Sequence, residues 1–275
     1  MNSSLSPDFQ ELQNAFDQIY VLTLERAHDR HRHIERMLAG LEYRFFPGID
    51  KQTLDYDELV ADGVYDDAAH HRRKRTHRSM SLGEIACALG HRAIQQDALD
   101  AGHERILILE DDVQLHPEHL GGFKTAMREL PADWELLMLG FYGEKYPGLA
   151  SSIKRATYLF YHRFGLFNWG KVNKKFLEQL IMQRYSPNLW RLGKLVGGHA
   201  YALTQSGCRK LIDFQTPIFL QADRVFSYYP AYHELQAFAL DKKLFTLADI
   251  SQDSWIGYDD RTSKIMKKGK SLLGG

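Results

Sequence analysis

Residues Arg105–Val113, which read Arg-Ile-Leu-Ile-Leu-Glu-Asp-Asp-Val, decide the fold of this chain. The unbroken run of leucine and isoleucine is typical of a strand that is buried on both faces, as parallel strands of α/β sheets are. Three carboxylates, Glu110, Asp111 and Asp112, follow at once. The strand must leave the sheet there, because unpaired charges are not buried. Ligands bind at such carboxyl ends of central strands. The triplet therefore indicates either a site for a divalent cation that holds phosphate oxygens or a solvated acidic turn.

Length and composition set the class of protein. The chain has 275 residues, enough for one large α/β domain or two small ones. Its hydrophobic fraction of 44% and charged fraction of 25% are ordinary for a globular protein. The formal net charge is zero, so no overall field attracts nucleic acid, and we expect no nucleic-acid partner. Cys87 and Cys208 are the only cysteines, which excludes a disulfide framework and favours a reducing compartment.

The two ends of the chain and its apolar runs predict a cytoplasmic protein. Met1–Phe9 has neither the basic start nor the apolar core of a signal peptide. No apolar run is long enough to span a bilayer. The tail Arg261–Gly275 is rich in lysine and glycine, and we expect it to be flexible. Its lysines beside apolar residues also favour contact with an anionic membrane, which would make the protein peripheral on the cytosolic face of the inner membrane.

The order of the predicted elements is β-α-β, loop, α-β-α-β, which is typical of a mostly parallel sheet flanked by helices. A capping box of Ser81 and Glu84 opens the helix that leads into the acidic strand. The other elements predicted before residue 141 are strands 19–24, 43–46 and 134–140 and helices 9–18, 31–41 and 117–130. No linker interrupts the pattern, so we expect one domain over residues 17–260, with a variable half from residue 141 onward.

Two regions lack a clear period. Residues 50–79 have an acidic first half and a basic run at 70–78, which predicts a solvated loop or, alternatively, a loop that folds over an anionic ligand. Residues 141–196 are rich in aromatic side chains, which we expect in the core or in a subunit contact, the core being favoured; stacking on a sugar ring is the alternative. These aromatic residues include Tyr158, Phe160, Tyr161, Phe164, Phe167 and Trp169. Beyond them, Gly197–Leu203 is predicted to be a strand, and Thr204 begins a helix.

Two segments carry recognisable motifs with small departures. Val21–Arg30 follows the pattern I-N-L-x-R-x-x-D-R, with Thr23 in the place of Asn. Ser81–His91 follows the pattern G-E-I-G-C-x-x-S-H, with Ala86 in the place of Gly and Gly90 in the place of Ser.

Two further segments complete the set. Leu107–Val113 contains I-L-E-D-D-V without change, and Gly198–Tyr201 is similar to a G-x-x-A-Y strand. In order and spacing, the four segments resemble glycosyltransferase family 25, the group of bacterial lipopolysaccharide galactosyl- and glucosyltransferases and collagen galactosyltransferases. The resemblance spans residues 17–225. It implies a GT-A-like fold with one Rossmann-type sheet, in which residues 17–140 bind the nucleotide sugar and residues 141–260 face the acceptor.

The resemblance assigns roles to the residues after the first and third strands. The acidic triplet takes the place of a metal-binding Asp-x-Asp motif for Mn²⁺ or Mg²⁺. We expect Asp112 to bind the metal directly and Asp111 to reach the metal, its water or the ribose, while Glu110 supports the backbone. The nucleotide-binding residues are then Arg26, Asp29 and Arg30; surface salt bridges at a helix start are the alternative.

Further site residues are expected elsewhere in the chain. Glu84 is either catalytic, close to the donor, or only a capping residue. His199 is expected to bind donor or acceptor hydroxyls, whereas His91 is interpreted as a buried structural histidine. An inverting displacement needs a base to deprotonate the acceptor hydroxyl. Asp223 is the first candidate for that base, and behind it stand Glu234 and Asp213.

The predicted function is a metal-dependent, inverting transfer of galactose or glucose. The donor would be UDP-galactose or UDP-glucose, and the acceptor a glycan or glycolipid such as lipopolysaccharide or lipooligosaccharide. Two alternatives use the same residues differently. One is a nucleotidyltransferase or sugar-nucleotide phosphohydrolase, and the other is a non-catalytic family member that binds glycan.

Overall fold

The computed structural model describes residues 7–73, 78–142 and 148–252 and is built on an eight-stranded sheet. The strands are β1 Gln18–Thr23, β2 Arg44–Pro47, β3 Arg105–Glu110, β4 Val113–Leu115, β5 Leu136–Gly140, β6 Gln183–Arg184, β7 Leu189–Arg191, β8 Ala200–Thr204, β9 Ala237–Leu240 and β10 Phe245–Leu247. The order in the sheet is β2-β1-β3-β8-β5-β9-β7-β6, and β4 pairs separately with β10.

Helices connect these strands. They are α1 Pro7–Asn14, α2 His28–Met37, α3 Tyr56–Ala61, α4 Asp67–Arg73, α5 Leu82–Asp100, α6 Leu120–Glu129, α7 Leu149–Arg163, α8 Lys174–Glu178, α9 Gln205–Phe214 and α10 Ala222–Tyr232. Short 3₁₀ turns lie at Lys51–Thr53, Pro117–His119, Leu166–Lys171 and Asp249–Gln252. Across the described ranges, no helix has both the length and the apolar character that a membrane crossing requires.

The predicted α/β fold with a mostly parallel sheet is confirmed. Strands β1, β2, β3, β5, β6 and β9 run in one direction, and β7 and β8 run in the other. The segment Gly197–Leu203, expected as a strand, forms β8 between β3 and β5 and is antiparallel to both.

The apolar run of β3 is unbroken because both faces of the sheet are covered. Leu107 and Leu109 point into one hydrophobic cluster, and Ile106 and Ile108 point into the other, as alternation along a strand requires. Each of the four is at most 1% exposed. Burial of such a side chain stabilises the fold by about 1.5–3 kcal/mol, so β3 anchors the sheet and fixes where Glu110 emerges.

The capping box that was predicted at the start of α5 is confirmed. Ser81 Oγ accepts a hydrogen bond from the backbone N–H of Glu84, and the Glu84 carboxylate accepts one from the N–H of Ser81. Thr204 likewise caps α9 by accepting from Gly207 N–H at 3.3 Å. Local sequence rules therefore set where both helices begin.

The solvated loop predicted for residues 50–79 is wrong for much of its length. This region contains the 3₁₀ turn Lys51–Thr53 and the helices α3 and α4. His70 is buried in α4, and its Nδ1 lies 2.9 Å from Phe219 O, so the basic run is partly fixed to the core. Residues 74–77 of that run lie outside the described residues, as does the basic tail 261–275.

The prediction that the aromatic residues of the 141–196 region are core residues is also wrong for three of them. Phe160, Phe164 and Phe167 are exposed. Tyr158 and Trp169 instead stack on each other, with ring centroids 4.4 Å apart. The β4–β10 pair was not predicted either, because each strand has only three residues.

Candidate active site

A cleft opens where β1, β2 and β3 end and α5 begins. Strand β2 lies on one side of β1 and β3 on the other, so the connections diverge at this point, which is where α/β sheets bind ligands. The cleft holds about 740 Å³ of open space. It is lined by Leu22, Thr23, Leu24, Arg26, Arg30, Gly48, Ile49, Asp50, Lys51, Gly83, Ala86, Cys87, Glu110, Asp111 and Asp112. The acidic triplet, Arg26 and Arg30 are thus brought together as predicted.

Each carboxylate oxygen of Asp111 accepts a hydrogen bond from a protein side chain. Its Oδ1 accepts a hydrogen bond from Nη1 of Arg30, a buried residue of α2. Its Oδ2 accepts one from Thr23 Oγ1 at 2.6 Å. His31 Nε2 lies 3.0 Å from the same hydroxyl and 3.1 Å from Leu24 O, which fixes the Thr23 side chain. Asp111 therefore ties the ends of β1 and β3 to α2.

One carboxylate oxygen of Asp112 is free to bind a ligand. Its Oδ2 lies 3.4 Å from Arg30 Nη1, but its buried Oδ1 has no hydrogen-bond partner among the described residues. Burial raises the pKa of Asp112 to about 7, the charge of Glu110 adds to that effect, and Arg30 opposes it. An unpaired, buried carboxylate oxygen is destabilising unless a cation or a proton occupies the site.

Glu110 lies next to a histidine and a cysteine from α5. His91 Nε2 is 3.7 Å from Glu110 Oε1, while His91 Nδ1 lies 2.8 Å from the hydroxyl of Tyr201. One ligand atom from each of Cys87, His91 and Glu110 lies within 4.8 Å of the others. Burial raises the pKa of Glu110, but His91, His199 and Arg30 together lower it further, so the net shift is downward.

Four buried polar atoms near this strand end lack a hydrogen bond of normal geometry, although His91 Nε2 lies 3.7 Å from Glu110 and the backbone of Phe245 interacts with His199. In the part of the chain that the structure describes, they are His91 Nε2, Asp112 Oδ1 and both ring nitrogens of His199. His91, Asp112 and His199 each interact electrostatically with Glu110. Buried polar groups are normally satisfied, so a cluster of unsatisfied ones indicates a place for a ligand or an ion.

His199 reaches this cluster because a glycine makes room for it. A Cβ on Gly140 would lie 2.7 Å from His199 Cδ2, closer than real contacts allow. Burial lowers the pKa of His199, although the charge of Glu110 raises it, so the imidazole is neutral at neutral pH. A neutral ring has one donor and one acceptor nitrogen for hydroxyl groups.

Arg26 and Asp29, both predicted to bind nucleotide, have different positions. Arg26 lines the cleft and makes two contacts to Asp50, at 2.9 Å from Nε and 3.1 Å from Nη2. The Asp29 side chain is 82% exposed, pairs with Arg32 and does not line the cleft. The structure therefore brings Arg26, but not Asp29, to the other predicted site residues.

Glu84 does not line the cleft. Its carboxylate binds the guanidinium of Arg78 at 2.7 and 2.8 Å, the amide of Gln221 at 3.0 Å and the N–H of Ser81 at 2.8 Å. Burial opposes its ionisation, but these hydrogen bonds lower the pKa of Glu84 to about 2. Its neighbours in α5, Gly83 and Ala86, line the cleft instead.

The three candidate bases lie in different environments. Asp223, in the first turn of α10, accepts a hydrogen bond from Gly197 N–H at 2.9 Å and acts electrostatically on Cys87. Glu234 is 87% exposed and pairs with Lys175, and Asp213 lies on the exposed side of α9. Of the three, only Asp223 acts on a residue of the cleft wall and contacts the segment that leads to His199, although it does not itself line the cleft.

The donor set fits a divalent cation. Asp112 supplies an unpartnered carboxylate oxygen, and Glu110 supplies a second carboxylate beside it, which are the hard ligands that Mn²⁺ and Mg²⁺ take. Burial raises the pKa of the Cys87 thiol well above its usual value, and the nearby carboxylates add to this effect. The thiol is therefore protonated and is not a nucleophile.

Comparison with known proteins identifies the family. A family model described as glycosyltransferase family 25 (LPS biosynthesis protein) matches residues 16–226. The chain belongs to glycosyltransferase family 25.

Relatives within family 25 are similar over part of their length. A glycosyltransferase 25 family member of Drosophila melanogaster is 33% identical over 110 residues, which are 38% of this chain and 17% of that protein. Procollagen galactosyltransferase 2 of Mus musculus is 27% identical over 130 residues, covering 46% and 21%. The inactive glycosyltransferase 25 family member 3 of Homo sapiens is 30% identical over 133 residues, covering 46% and 22%. The chain thus matches about a fifth of the length of these relatives.

Among solved structures, mouse xyloside xylosyltransferase 1 in its apo form is similar at 11% identity. The likeness covers 84% of this chain and 79% of that one, with a TM-score of 0.37. A score this low supports no conclusion about function.

The departures from the family 25 motifs have local reasons. Thr23, where the motif has Asn, donates to Asp111 and so keeps a polar contact at that position. A Cβ on Gly90, where the motif has Ser, would lie 3.1 Å from Leu22 Cδ1, and the bulk of Leu22 therefore favours glycine. Asp50, Lys51 and Cys87 also line the cleft but were not predicted, since only the fold brings these segments to β3.

Proposed function

We propose that this family 25 protein is a metal-dependent, inverting hexosyltransferase that uses UDP-galactose or UDP-glucose. The observation that carries the proposal is the cluster of unsatisfied polar atoms at the end of β3. A merely structural acidic turn would have its buried oxygens paired, whereas Asp112 Oδ1 has no partner among the described residues.

Asp112 is the proposed direct ligand of Mn²⁺ or Mg²⁺, and Glu110 is the carboxylate whose charge acts on it most strongly. A bound divalent cation would neutralise the charge that develops on the leaving diphosphate. Asp111, whose two oxygens are occupied by Arg30 and Thr23, would position the turn and reach the metal only through water. Arg30 contacts a carboxylate oxygen of each aspartate but leaves Asp112 Oδ1 without a partner among the described residues.

Other residues that line the cleft are proposed to contact the diphosphate and the nucleobase of the sugar nucleotide. Arg26 and Lys51 supply positive charge that suits a diphosphate. Leu22, Leu24 and Ile49 supply apolar surface against which a nucleobase can pack. Asp29 is given no direct contact, because it is exposed and paired with Arg32.

Asp223 is the proposed base that deprotonates the acceptor hydroxyl. Inversion by one displacement needs the base on the side opposite the leaving group. Asp223 comes from the later half of the chain and is held by the N–H of Gly197, two residues before His199. His199 is proposed to orient sugar hydroxyls, and Glu84 to position the start of α5 rather than to exchange protons.

A surface glycan such as lipopolysaccharide or lipooligosaccharide is the proposed acceptor, and a cytoplasmic or inner-membrane-peripheral location is proposed with it. The description of the family as LPS biosynthesis proteins supports this choice. Procollagen galactosyltransferase 2 shows that a relative transfers galactose to a different acceptor class.

Calorimetry with UDP tests the proposal at low effort. We expect UDP to bind in the presence of Mn²⁺ and to bind at least about tenfold more weakly after chelation, because the metal holds the diphosphate. Asp112→Asn is expected to remove the increase in UDP affinity that Mn²⁺ gives. Asp29→Asn is the matched control, since Asp29 is an aspartate nearby that faces solvent, and it should bind UDP as the parent does.

A second assay separates the alternative functions. Incubation with UDP-hexoses and truncated lipopolysaccharide should give a glycosylated acceptor and UDP. Release of hexose 1-phosphate would favour a phosphohydrolase. Metal-dependent UDP binding without turnover of any UDP-hexose would favour a non-catalytic member, and absence of UDP binding would overturn the proposal.

A further inference from the structure

Exposed apolar side chains are concentrated in one segment of the molecule. Of the eleven large hydrophobic residues that are exposed in the described chain, six lie between residues 149 and 167. They are Leu149, Ile153, Phe160, Phe164, Leu166 and Phe167, with Leu149 80% and Phe167 77% exposed. A contiguous apolar patch of this kind on a folded protein marks an interaction surface.

These residues form a stripe on α7. Leu149, Ile153, Ala156, Phe160 and Phe164 are all exposed and recur at i, i+4, i+7, i+11 and i+15. At 100° per residue this spacing confines them to an arc of about 80°. We call this set the α7 stripe, and Leu166 and Phe167 extend it beyond the helix end.

The other side of α7 contacts the segments that follow it, although no residue of α7 is fully buried. Tyr158 stacks on Trp169, and Arg155 Nε donates to Glu178 O at 3.2 Å. The helix is therefore seated on the fold by one face while the α7 stripe faces outward, as in a helix that lies in a membrane interface.

The charge around the α7 stripe has one sign. Residues 148–177 contain six lysines and arginines and no aspartate or glutamate. Lys174 and Lys175 pair with Glu178 and Glu234. Lys154, Arg163 and Lys171 are exposed, and none of them forms an ion pair with a carboxylate of the described residues. The segment that carries the α7 stripe is therefore basic. Arg163 lies next to the stripe, and Lys154 Nζ lies 5.7 Å from the ring centroid of Tyr158 on a neighbouring side of the helix.

The positive charge of this segment decides between the possible occupants of the α7 stripe. A second copy related by a two-fold axis would set the same patch against itself and bring like charges together. An anionic bilayer is complementary to both features, because its headgroups attract lysine and arginine and its acyl boundary accepts leucine and phenylalanine. We propose that the segment Leu149–Lys171 docks in the headgroup region of an anionic phospholipid bilayer. The docking proposal does not depend on the proposed transfer reaction.

Flotation of the full chain with lipid vesicles, without any sugar nucleotide, tests the proposal. We expect binding to vesicles of phosphatidylcholine mixed with phosphatidylglycerol, and at least about tenfold weaker binding to phosphatidylcholine alone or at high salt. Ile153→Ser with Phe164→Ser should weaken binding by at least about tenfold. Lys154→Gln with Arg163→Gln should do the same through the charge.

Matched controls separate this surface from others. Val60→Ser with Tyr232→Ser changes two exposed apolar residues on other helices and should leave vesicle binding unchanged. Replacement of Lys264, Lys267, Lys268 and Lys270 by Gln tests the basic tail and should reduce binding less than the α7 substitutions do. Circular dichroism and UDP calorimetry on each variant verify that the fold is intact.

Three results would overturn the proposal. One is equal binding to neutral and anionic vesicles. Another is vesicle binding that survives both α7 double substitutions, or that disappears only with the tail substitutions. The third is a dimer, detected by light scattering, that Ile153→Ser with Phe164→Ser dissociates, since a second copy would then cover the α7 stripe. Failure of UDP binding alone would contradict only the proposed function.

Discussion

At the scale of single residues, the acidic triplet divides into three different environments. Asp111 is saturated by Arg30 and Thr23, Asp112 keeps one oxygen without a protein partner, and Glu110 lies beside two histidines. Neighbours in sequence thus differ because each strand position faces another element. The sequence analysis assigned a different role to each member of the triplet, and Asp112 as the metal ligand remains a prediction.

Arg30→Met is expected to lower the free energy of unfolding by about 3–5 kcal/mol, because two buried carboxylates would lose their cation. Arg26→Met is the control: Arg26 pairs with Asp50 at the cleft mouth, where an exposed ion pair contributes about 0–1 kcal/mol. Urea unfolding at neutral pH measures both. An Arg30→Met protein as stable as the Arg26→Met protein would contradict the central position of Arg30.

At the scale of elements, α5 connects local sequence rules with the site. Ser81 and Glu84 set its first turn, and that turn places Gly83, Ala86 and Cys87 in the cleft wall. Glu84 gains its low pKa from contacts to Arg78 and Gln221 that no local pattern indicates. The cap was therefore predictable from spacing, whereas the tertiary partners of the same carboxylate were not.

The pH dependence of stability should report on Glu84. Its pKa is lowered from 4.5 to about 2 in the folded protein, so ionised Glu84 stabilises the fold above pH 4.5, and this contribution is lost as the pH falls toward 2. Glu84→Gln should lower the free energy of unfolding by about 1.5–3 kcal/mol at pH 7, and the difference should shrink over that acidic range. Urea unfolding from pH 7 to pH 3 measures it. A difference that is constant with pH would contradict this account.

At the scale of the whole molecule, the parts that sequence predicted are those with strong local patterns. The runs of β1, β3 and β5, the cap of α5 and the order of elements through residue 140 follow from apolar periods and turn residues. The direction of β8, the pairing of β4 with β10 and the exposure of Phe160 and Phe164 depend on distant partners or on their absence. Short strands and exposed aromatic residues carry no period that distinguishes these outcomes.

The pairing of β4 with β10 leads to a prediction about the backbone that supports the acidic turn. The pairing of β10 with β4 brings Ala248 to the acidic turn, where its N–H donates to Asp112 O at 2.8 Å. Ala248→Pro removes that donor and should lower the free energy of unfolding by about 1–3 kcal/mol, because it leaves a carbonyl near the cleft unpaired. Since the same bond holds the backbone of Asp112, metal-dependent UDP affinity should also fall, by about tenfold. Ala248→Ser keeps the N–H and should match the parent protein in both urea unfolding and calorimetry. If Ala248→Pro matches the parent in both measurements as well, then the end of the described chain does not support the acidic turn.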